Sequence, residues 1–191
     1  MAYTLQLLHA NDLEGGVAAL DNAPNFAAIV DTLEDTFENT ILLSAGDNYI
    51  PGPFFSTAAD FSMGATLTAA YERFYTEVLG LDLTGVTLDI DEGPGRVDIT
   101  IMNVLGFDAS AVGNHEFDPG TNAFAGIINA SGGNGEINWV GAFFPYLSAN
   151  IDFSGDNSLG RLFTDEILTS DIFAESLADL AARNIGPAIA P

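Results

Sequence analysis

The sequence contains no cysteine and no lysine, so that arginine and two histidines are its only basic residues. Without cysteine there can be no disulfide, no thiolate nucleophile and no cysteine-ligated zinc or iron–sulfur site. The chain has four arginines and 27 acidic residues, which gives a net charge of −23 over 191 residues. Binding to nucleic acid depends mainly on neutralising phosphates. The composition therefore argues against nucleic-acid polymers and anionic membrane surfaces as partners.

Long hydrophobic runs are also lacking. No run reaches the roughly 18 apolar residues of a membrane span, so no membrane insertion is predicted. The first nine residues lack a basic region and a long apolar stretch, and they predict no signal peptide. The hydrophobic content of 48% excludes disorder as the main state, and one domain is the default expectation.

Strand and helix patterns alternate along the chain. The predicted strands cover residues 3–8, 40–44, 109–112 and 146–151, and the predicted helices cover residues 24–38, 63–79, 99–105, 121–130 and 171–183. Pro24 suits the first turn of its helix. We read residues 80–96 as an acidic insertion with a solvated face and residues 131–135 as a loop. The alternation predicts a layered α/β fold with a largely parallel core sheet.

Polar turns follow three of these strands. Asn11 and Asp12 follow the first strand, Gly46 and Asp47 follow the second, and residues 113–115 (Gly-Asn-His) follow the third. In open α/β sheets, ligands bind beyond the carboxyl ends of the strands. A single such turn is usually no more than a turn, but three together predict a site that binds metal or transfers protons.

Four sequence blocks resemble those of the 5′-nucleotidase branch of the calcineurin-like metallophosphoesterases. They lie in the family's order within residues 3–153, and they read LHANDLEGG from Leu8, LSAGD from Leu43, GNHEFD from Gly113 and PYLSAN from Pro145. The resemblance implies a metallophosphoesterase-type layered fold, an incomplete β-sandwich flanked by helices. It also implies hydrolysis of phosphate esters such as nucleotides, with mononucleotides, cyclic nucleotides, sugar nucleotides and simple monoesters all open as substrates.

The resemblance also implies roles for individual residues. Members of this family hold two metal ions about 4 Å apart, which stabilise both oxygens of an in-line phosphoryl displacement. By the family pattern Asp47 bridges the ions, Asp12 binds the first and Asn114 binds the second. His115 then faces the phosphate and assists the leaving oxygen, while Asp118 orients this histidine and fixes its tautomer.

Glu14 departs from the family pattern, because the opening block normally has a metal-binding histidine there. A site with this carboxylate should favour manganese, magnesium or calcium over zinc. The other interpretation is that the first metal position is lost.

The number of histidines is the second departure. The chain has only His9 and His115, whereas the resemblance implies further histidine ligands from later blocks. We therefore expect residues 1–191 to form the amino-terminal half of a metallophosphoesterase domain, with residues 154–191 as its continuation or a tail. The expected partner, besides a phosphate ester, is the missing carboxy-terminal half or a second copy of the chain. Alone, this half should bind metal weakly and turn over slowly or not at all.

An alternative hypothesis is a catalytically inert, acidic metal- or calcium-binding structural module of a larger extracellular protein. Glu14 and the net charge favour it, and the cluster of Asn114, His115 and Asp118 argues against it. Because relatives are commonly exported, the resemblance suggests an extracellular or periplasmic location.

Overall fold

The computed structural model describes residues 3–14, 16–163 and 189–190. The strands within these residues form two sheets. The larger sheet is parallel throughout, and its strands in spatial order are β1 (Gln6–Ala10), β2 (Thr40–Ser44), β4 (Ala109–Ala111), β7 (Tyr146–Leu147) and β8 (Ile189–Ala190). The smaller sheet has the order β3 (Thr87–Leu88), β6 (Glu136–Trp139) and β5 (Ser131–Gly133), with β3 parallel and β5 antiparallel to β6.

Helices connect the strands of the parallel sheet. They are α1 (Val17–Glu34), α2 (Pro53–Thr57), α3 (Ser62–Arg73), α4 (Arg96–Leu105) and α5 (Thr121–Ile128). A π-helical turn, Phe74–Val78, continues α3, and short 3₁₀ turns cover His115–Phe117 and Leu159–Arg161. Among the described residues, no helix is both long and apolar enough to cross a membrane. The chain is thus an α/β protein with a parallel sheet flanked by helices, as the alternating pattern predicts.

The strand register brings the polar turns to one edge of the parallel sheet. Ala10 pairs with Ser44, and Ser44 pairs with Ser110. The backbone N–H of Ala45 still donates to the Ala10 carbonyl at 2.9 Å, so β1 and β2 stay together up to the turns. Because parallel strands all end at the same edge, the turns after β1, β2 and β4 meet there.

The core between the small sheet and the helices centres on Trp139, which is fully buried. Its indole N–H donates to the Ile127 carbonyl at 2.7 Å, and its ring meets Tyr71 edge-on with the centroids 6.2 Å apart. The Arg96 guanidinium lies 4.7 Å from the Trp139 ring centroid, a cation–π contact. Aromatic packing therefore fixes the start of α4 against the small sheet.

The first helix is longer than predicted. It begins at Val17, and Pro24 lies inside it, so the prediction that Pro24 occupies the first turn is wrong. Proline removes one helical hydrogen bond. The apolar spacing of Ala19, Ala23 and Phe26, which line one cavity together, continues through the proline and favours a single helix.

The segment of residues 80–96 is more ordered than a solvated acidic insertion. Asp89 and Asp91 are exposed, as expected, but Leu88 and Ile90 alternate with them and are buried. The alternation has the period of a strand with one face in the core. The first part of this stretch, β3, pairs with β6 in the small sheet.

Other expectations differ in detail. The glycine-rich stretch read as a loop contains β5, which pairs back on β6 through the turn at residues 134 and 135. The strand predicted over residues 146–151 is confined to Tyr146–Leu147. The helix predicted over residues 171–183 lies outside the described residues. The strand predicted over residues 40–44 is confirmed in full.

Candidate metal centre

Two glycines allow the turn after β2 to touch the turn after β4. Gly46 has φ +96°, and a Cβ atom there would lie 2.6 Å from the Gly113 nitrogen. Asp47 also adopts a left-handed conformation, with φ 53°. This conformation is uncommon for residues other than glycine and is maintained only where the surroundings enforce it. Asp47 is therefore held against the β4 turn by the backbone as well as by its side chain.

The carboxylate of Glu116 also joins the turn after β2 to the turn after β4. It is fully buried and accepts three backbone N–H groups, from Asn48 on Oε1 at 2.9 Å and from Asp47 and Gly113 on Oε2 at 3.1 and 2.7 Å. Burial raises the pKa of Glu116, and the three backbone hydrogen bonds oppose that rise. One side chain thus satisfies three backbone donors that the tight turns leave unpaired.

His115 lies between three carboxylates. Its backbone N–H donates to Asp47 Oδ1 at 2.8 Å, and its ring Nδ1 lies 2.6 Å from Asp118 Oδ2. Its Nε2 faces Glu14 Oε1 at 3.5 Å. The hydrogen bond to Asp118 raises the pKa of His115, and the charges of Asp118, Asp47 and Glu14 act in the same direction. Because Asp118 accepts from Nδ1, the proton of the neutral ring stays on that nitrogen. The other ring nitrogen, Nε2, points towards Glu14.

Glu14, Asp47 and His115 form a group that can hold a metal ion. Each offers one ligand atom, these atoms lie within 4.8 Å of one another, and all three residues are half-buried. Two carboxylates and one imidazole suit a divalent cation with a preference for oxygen ligands. The residues thus fit a divalent metal in chemical type.

The other predicted ligands are less closely placed. Asp12 follows β1 in a left-handed conformation with φ 52°, is exposed, and accepts a hydrogen bond from the Asn11 amide. Among the described residues, the group with ligand atoms within 4.8 Å does not include it. Asn114 is exposed on the β4 turn. Metal binding by Asp12 and Asn114 remains a prediction. His9 is exposed on β1.

Sequence reasoning missed two residues that support the centre, Glu116 and Asn48. The Asn48 amide is buried, donates to Ser110 Oγ at 2.7 Å and to the Tyr146 hydroxyl at 3.1 Å, and accepts a hydrogen bond from Ser44. A signal was available for the first of them, since an acidic residue between His115 and Phe117 in a tight turn is well placed to accept backbone N–H groups.

Comparison with known proteins supports a phosphoesterase relationship. No family model matches the chain. Over 163 residues, or 82% of this chain, it is 24% identical to the trifunctional nucleotide phosphoesterase protein YfkN of Bacillus subtilis (strain 168). The chain spans only 8% of the length of that relative. This distant similarity suggests a hydrolase of the phosphoesterase kind, and it implies divalent metal ions of the sort that the group of Glu14, Asp47 and His115 could bind.

Proposed function

We propose that this chain carries part of the active centre of a metal-dependent phosphoesterase of the 5′-nucleotidase type, which hydrolyses phosphate esters such as nucleotides. The observation that carries the proposal is the meeting of Glu14, Asp47 and His115 at one sheet edge, with Asp118 on the far side of the histidine. The similarity to a nucleotide phosphoesterase supports the same class of reaction.

The proposed reaction is an in-line displacement at phosphorus by water, in which the water oxygen bonds to phosphorus and gives up a proton to solvent while the phosphorus–oxygen bond to the alcohol breaks. Divalent cations, two in the full centre, supply positive charge that stabilises the phosphate oxygens in the transition state. Asp12, Glu14 and Asp47 would hold these cations through carboxylate oxygens, and Asn114 would add a neutral amide oxygen. In this reaction the carboxylates hold the metal and His115 is not a ligand: protonated His115 donates a proton from Nε2 to the departing alcohol or sugar oxygen, and Asp118 orients the ring through Nδ1.

The ligand types favour manganese, magnesium or calcium over zinc at the Glu14 position. Zinc is most often bound by cysteine thiolates and imidazoles, whereas carboxylate oxygens suit the harder cations. In a chain with two histidines, of which only His115 lies in the group, we expect weak metal binding and slow turnover unless further ligands come from elsewhere.

Manganese binding measured by calorimetry, with hydrolysis of a generic phosphomonoester and of a nucleoside monophosphate followed in the same samples, tests the proposal. Glu14→Gln is the most informative variant, because the Glu14 side chain contacts His115. This substitution leaves the backbone hydrogen bonds to Glu116 intact. Glu72→Gln, an exposed position on α3, is the matched control. We expect Glu14→Gln to weaken manganese binding at least tenfold and the control to leave it unchanged.

The outcomes separate the two hypotheses. Binding that depends on Glu14, together with hydrolysis that is lost in His115→Gln, supports the enzyme. Binding that depends on Glu14 without any hydrolysis, even at high manganese concentration, favours the alternative of an inert acidic metal-binding module. If manganese binds equally to the wild type, Glu14→Gln and Glu72→Gln, the metal centre proposed here is wrong.

A further inference from the structure

A mostly apolar pocket lies between α1 and α4. Its volume is about 190 Å³, and its apolar walls include Ala19, Ala23 and Phe26 on α1 and Ile101, Met102 and Leu105 on α4. Five of these six side chains are only half-buried, so the pocket is open to solvent on one side. Contact between apolar surface and water is unfavourable. A molecule that covers these walls therefore stabilises the folded chain.

The pocket offers few polar groups to water. Its polar lining residues in the described part of the chain are the exposed Asn22, Asn48 and Asp98. The Asn48 amide is buried and already bonded to three neighbouring side chains. Asp98 is only 5% exposed, and its unpaired Oδ2 is buried. Because a well-held water molecule needs two to four polar contacts, water is held weakly in this pocket.

The volume of the pocket limits the size of a ligand. An engineered apolar cavity of about 150 Å³ in another protein binds benzene, whereas sites for drug-sized ligands measure about 300–1,000 Å³. A pocket of about 190 Å³ matches one six-membered ring. A nucleobase would lose its hydrogen bonds to water here without replacing them. The pocket is therefore distinct from any site for the base of a nucleotide.

Charge disfavours ligands of both signs. The net charge of −23 repels anions. A cation is attracted by that charge, but inside the pocket it would lose its hydration without gaining a carboxylate partner, since the unpaired oxygen of Asp98 is not accessible. Among the described residues that line the pocket, Asp98 is the only charged one. An uncharged ligand avoids both costs.

We propose that the pocket between α1 and α4 is a binding site for a small uncharged molecule with a single aromatic ring. Such a ring displaces weakly held water from apolar walls, which is favourable. Phe26 and Phe54 offer aromatic contacts and Met102 offers a thioether, and both kinds of group interact favourably with an aromatic ring.

Titration of the full chain with toluene, followed by calorimetry, tests this site. Benzoate and benzylammonium, which carry the same ring with a negative or a positive group, are the comparison ligands. Sodium chloride at about 0.5 M screens unspecific attraction to the acidic surface. We expect saturable one-to-one binding of toluene and at least about tenfold weaker binding of both ions, because each ion loses hydration in the pocket.

Filling the pocket from α1 tests where the ligand binds. Ala23→Phe places a ring of the ligand's own size in the pocket and should weaken toluene binding at least about tenfold. Ala28→Phe, the same substitution at an exposed position of α1, should change the affinity less than about twofold. Circular dichroism shows whether each variant is folded. If Ala23→Phe folds poorly, Ala19→Phe, one turn earlier on the same face of the helix, repeats the test.

Three results would each overturn the proposal. They are no saturable binding of toluene to the wild type, binding of benzoate or benzylammonium as tight as that of toluene, and unchanged toluene binding in a folded Ala23→Phe or Ala19→Phe variant. The proposal does not rest on the metal centre, and manganese binding can fail or succeed without affecting the result.

Discussion

Replacing Glu116 tests whether one buried carboxylate holds the two turns of the candidate metal centre together. The side chain is fully buried and accepts backbone N–H groups from Asp47, Asn48 and Gly113. Glutamine has the same shape but only one acceptor oxygen. Its carbonyl can take the place of Oε2 and keep two of the three donors, and its NH₂ group must then face the N–H of Asn48.

The size of the effect follows from the donors left unpaired. An unsatisfied buried donor costs about 1–3 kcal/mol. Because burial raises the pKa of Glu116, removal of the buried charge offsets part of that loss. We expect Glu116→Gln to lower the free energy of unfolding by about 1–3 kcal/mol. Glu116→Ala orphans all three donors and should cost at least about 3 kcal/mol, a large share of the roughly 5–15 kcal/mol that stabilises a typical domain.

Urea unfolding followed by circular dichroism measures the stability, and calorimetry measures manganese affinity in the same preparations. Both should fall in Glu116→Gln, because the turn that carries Asp47 loses one of its hydrogen bonds to Glu116, the one from Asn48, and is held less firmly against the turn that carries His115. Glu72→Gln on the exposed face of α3 should change neither. If Glu116→Gln unfolds at the wild-type urea concentration and binds manganese equally well, the carboxylate does not hold the turns and the reasoning is refuted.

Three further substitutions test other parts of the structure. Asp98→Asn should gain stability relative to the wild type as the pH rises from 4 to 7, by up to about 4 kcal/mol in urea unfolding, because burial raises the pKa of Asp98 to about 7 in the folded state and the wild type loses stability over that window. Arg96→Met should lower the free energy of unfolding by about 1–2 kcal/mol, through loss of the cation–π contact with Trp139. Gly46→Ala should lower it by about 2–4 kcal/mol, because a Cβ at φ +96° meets the backbone of Gly113.

Each of these has a contrary outcome. A stability difference between Asp98→Asn and the wild type that does not change with pH would show that this carboxyl has the same pKa in the folded and unfolded chains. Wild-type stability of Arg96→Met would show that the guanidinium adds nothing to the small sheet, and Arg73→Met, at an exposed position, is its control. Wild-type stability of Gly46→Ala would mean that the two turns can separate without loss.

The parallel sheet was predictable because its strands are short apolar runs ended by polar turns. β2 matches the predicted bounds, and α3 with its π-helical turn covers nearly the whole predicted helix. The small sheet was not predicted. Its strands β3 (Thr-Leu) and β5 (Ser-Gly-Gly) are two and three residues long, too short to show an alternating pattern. Their pairing is set by the burial of Leu88, Ile90 and Trp139, which depends on contacts distant in sequence.

Part of the candidate centre could be predicted from the strand ends, and part could not. The polar turns placed Asp47 and His115 together, and the block around them pointed to Asp118. The hydrogen bonds of Glu116 were missed although its place in a tight turn offered a signal. The unpaired Oδ2 of Asp98 was missed because it follows from no local pattern. An aspartate in the first turn of a helix is usually exposed, and its charge interacts favourably with the helix dipole. Contacts distant in sequence bury this one.

The Glu116 carboxylate also has a consequence for folding kinetics. Its bonds to Asp47 and Asn48 join residues 69 and 68 positions apart in the chain. Contacts between residues so distant in sequence form slowly, since closing such a long loop loses chain entropy before any contact compensates for it. We expect these bonds to be absent from the folding transition state. Glu116→Gln should then unfold faster while its refolding rate stays close to that of the wild type, in stopped-flow measurements of both limbs.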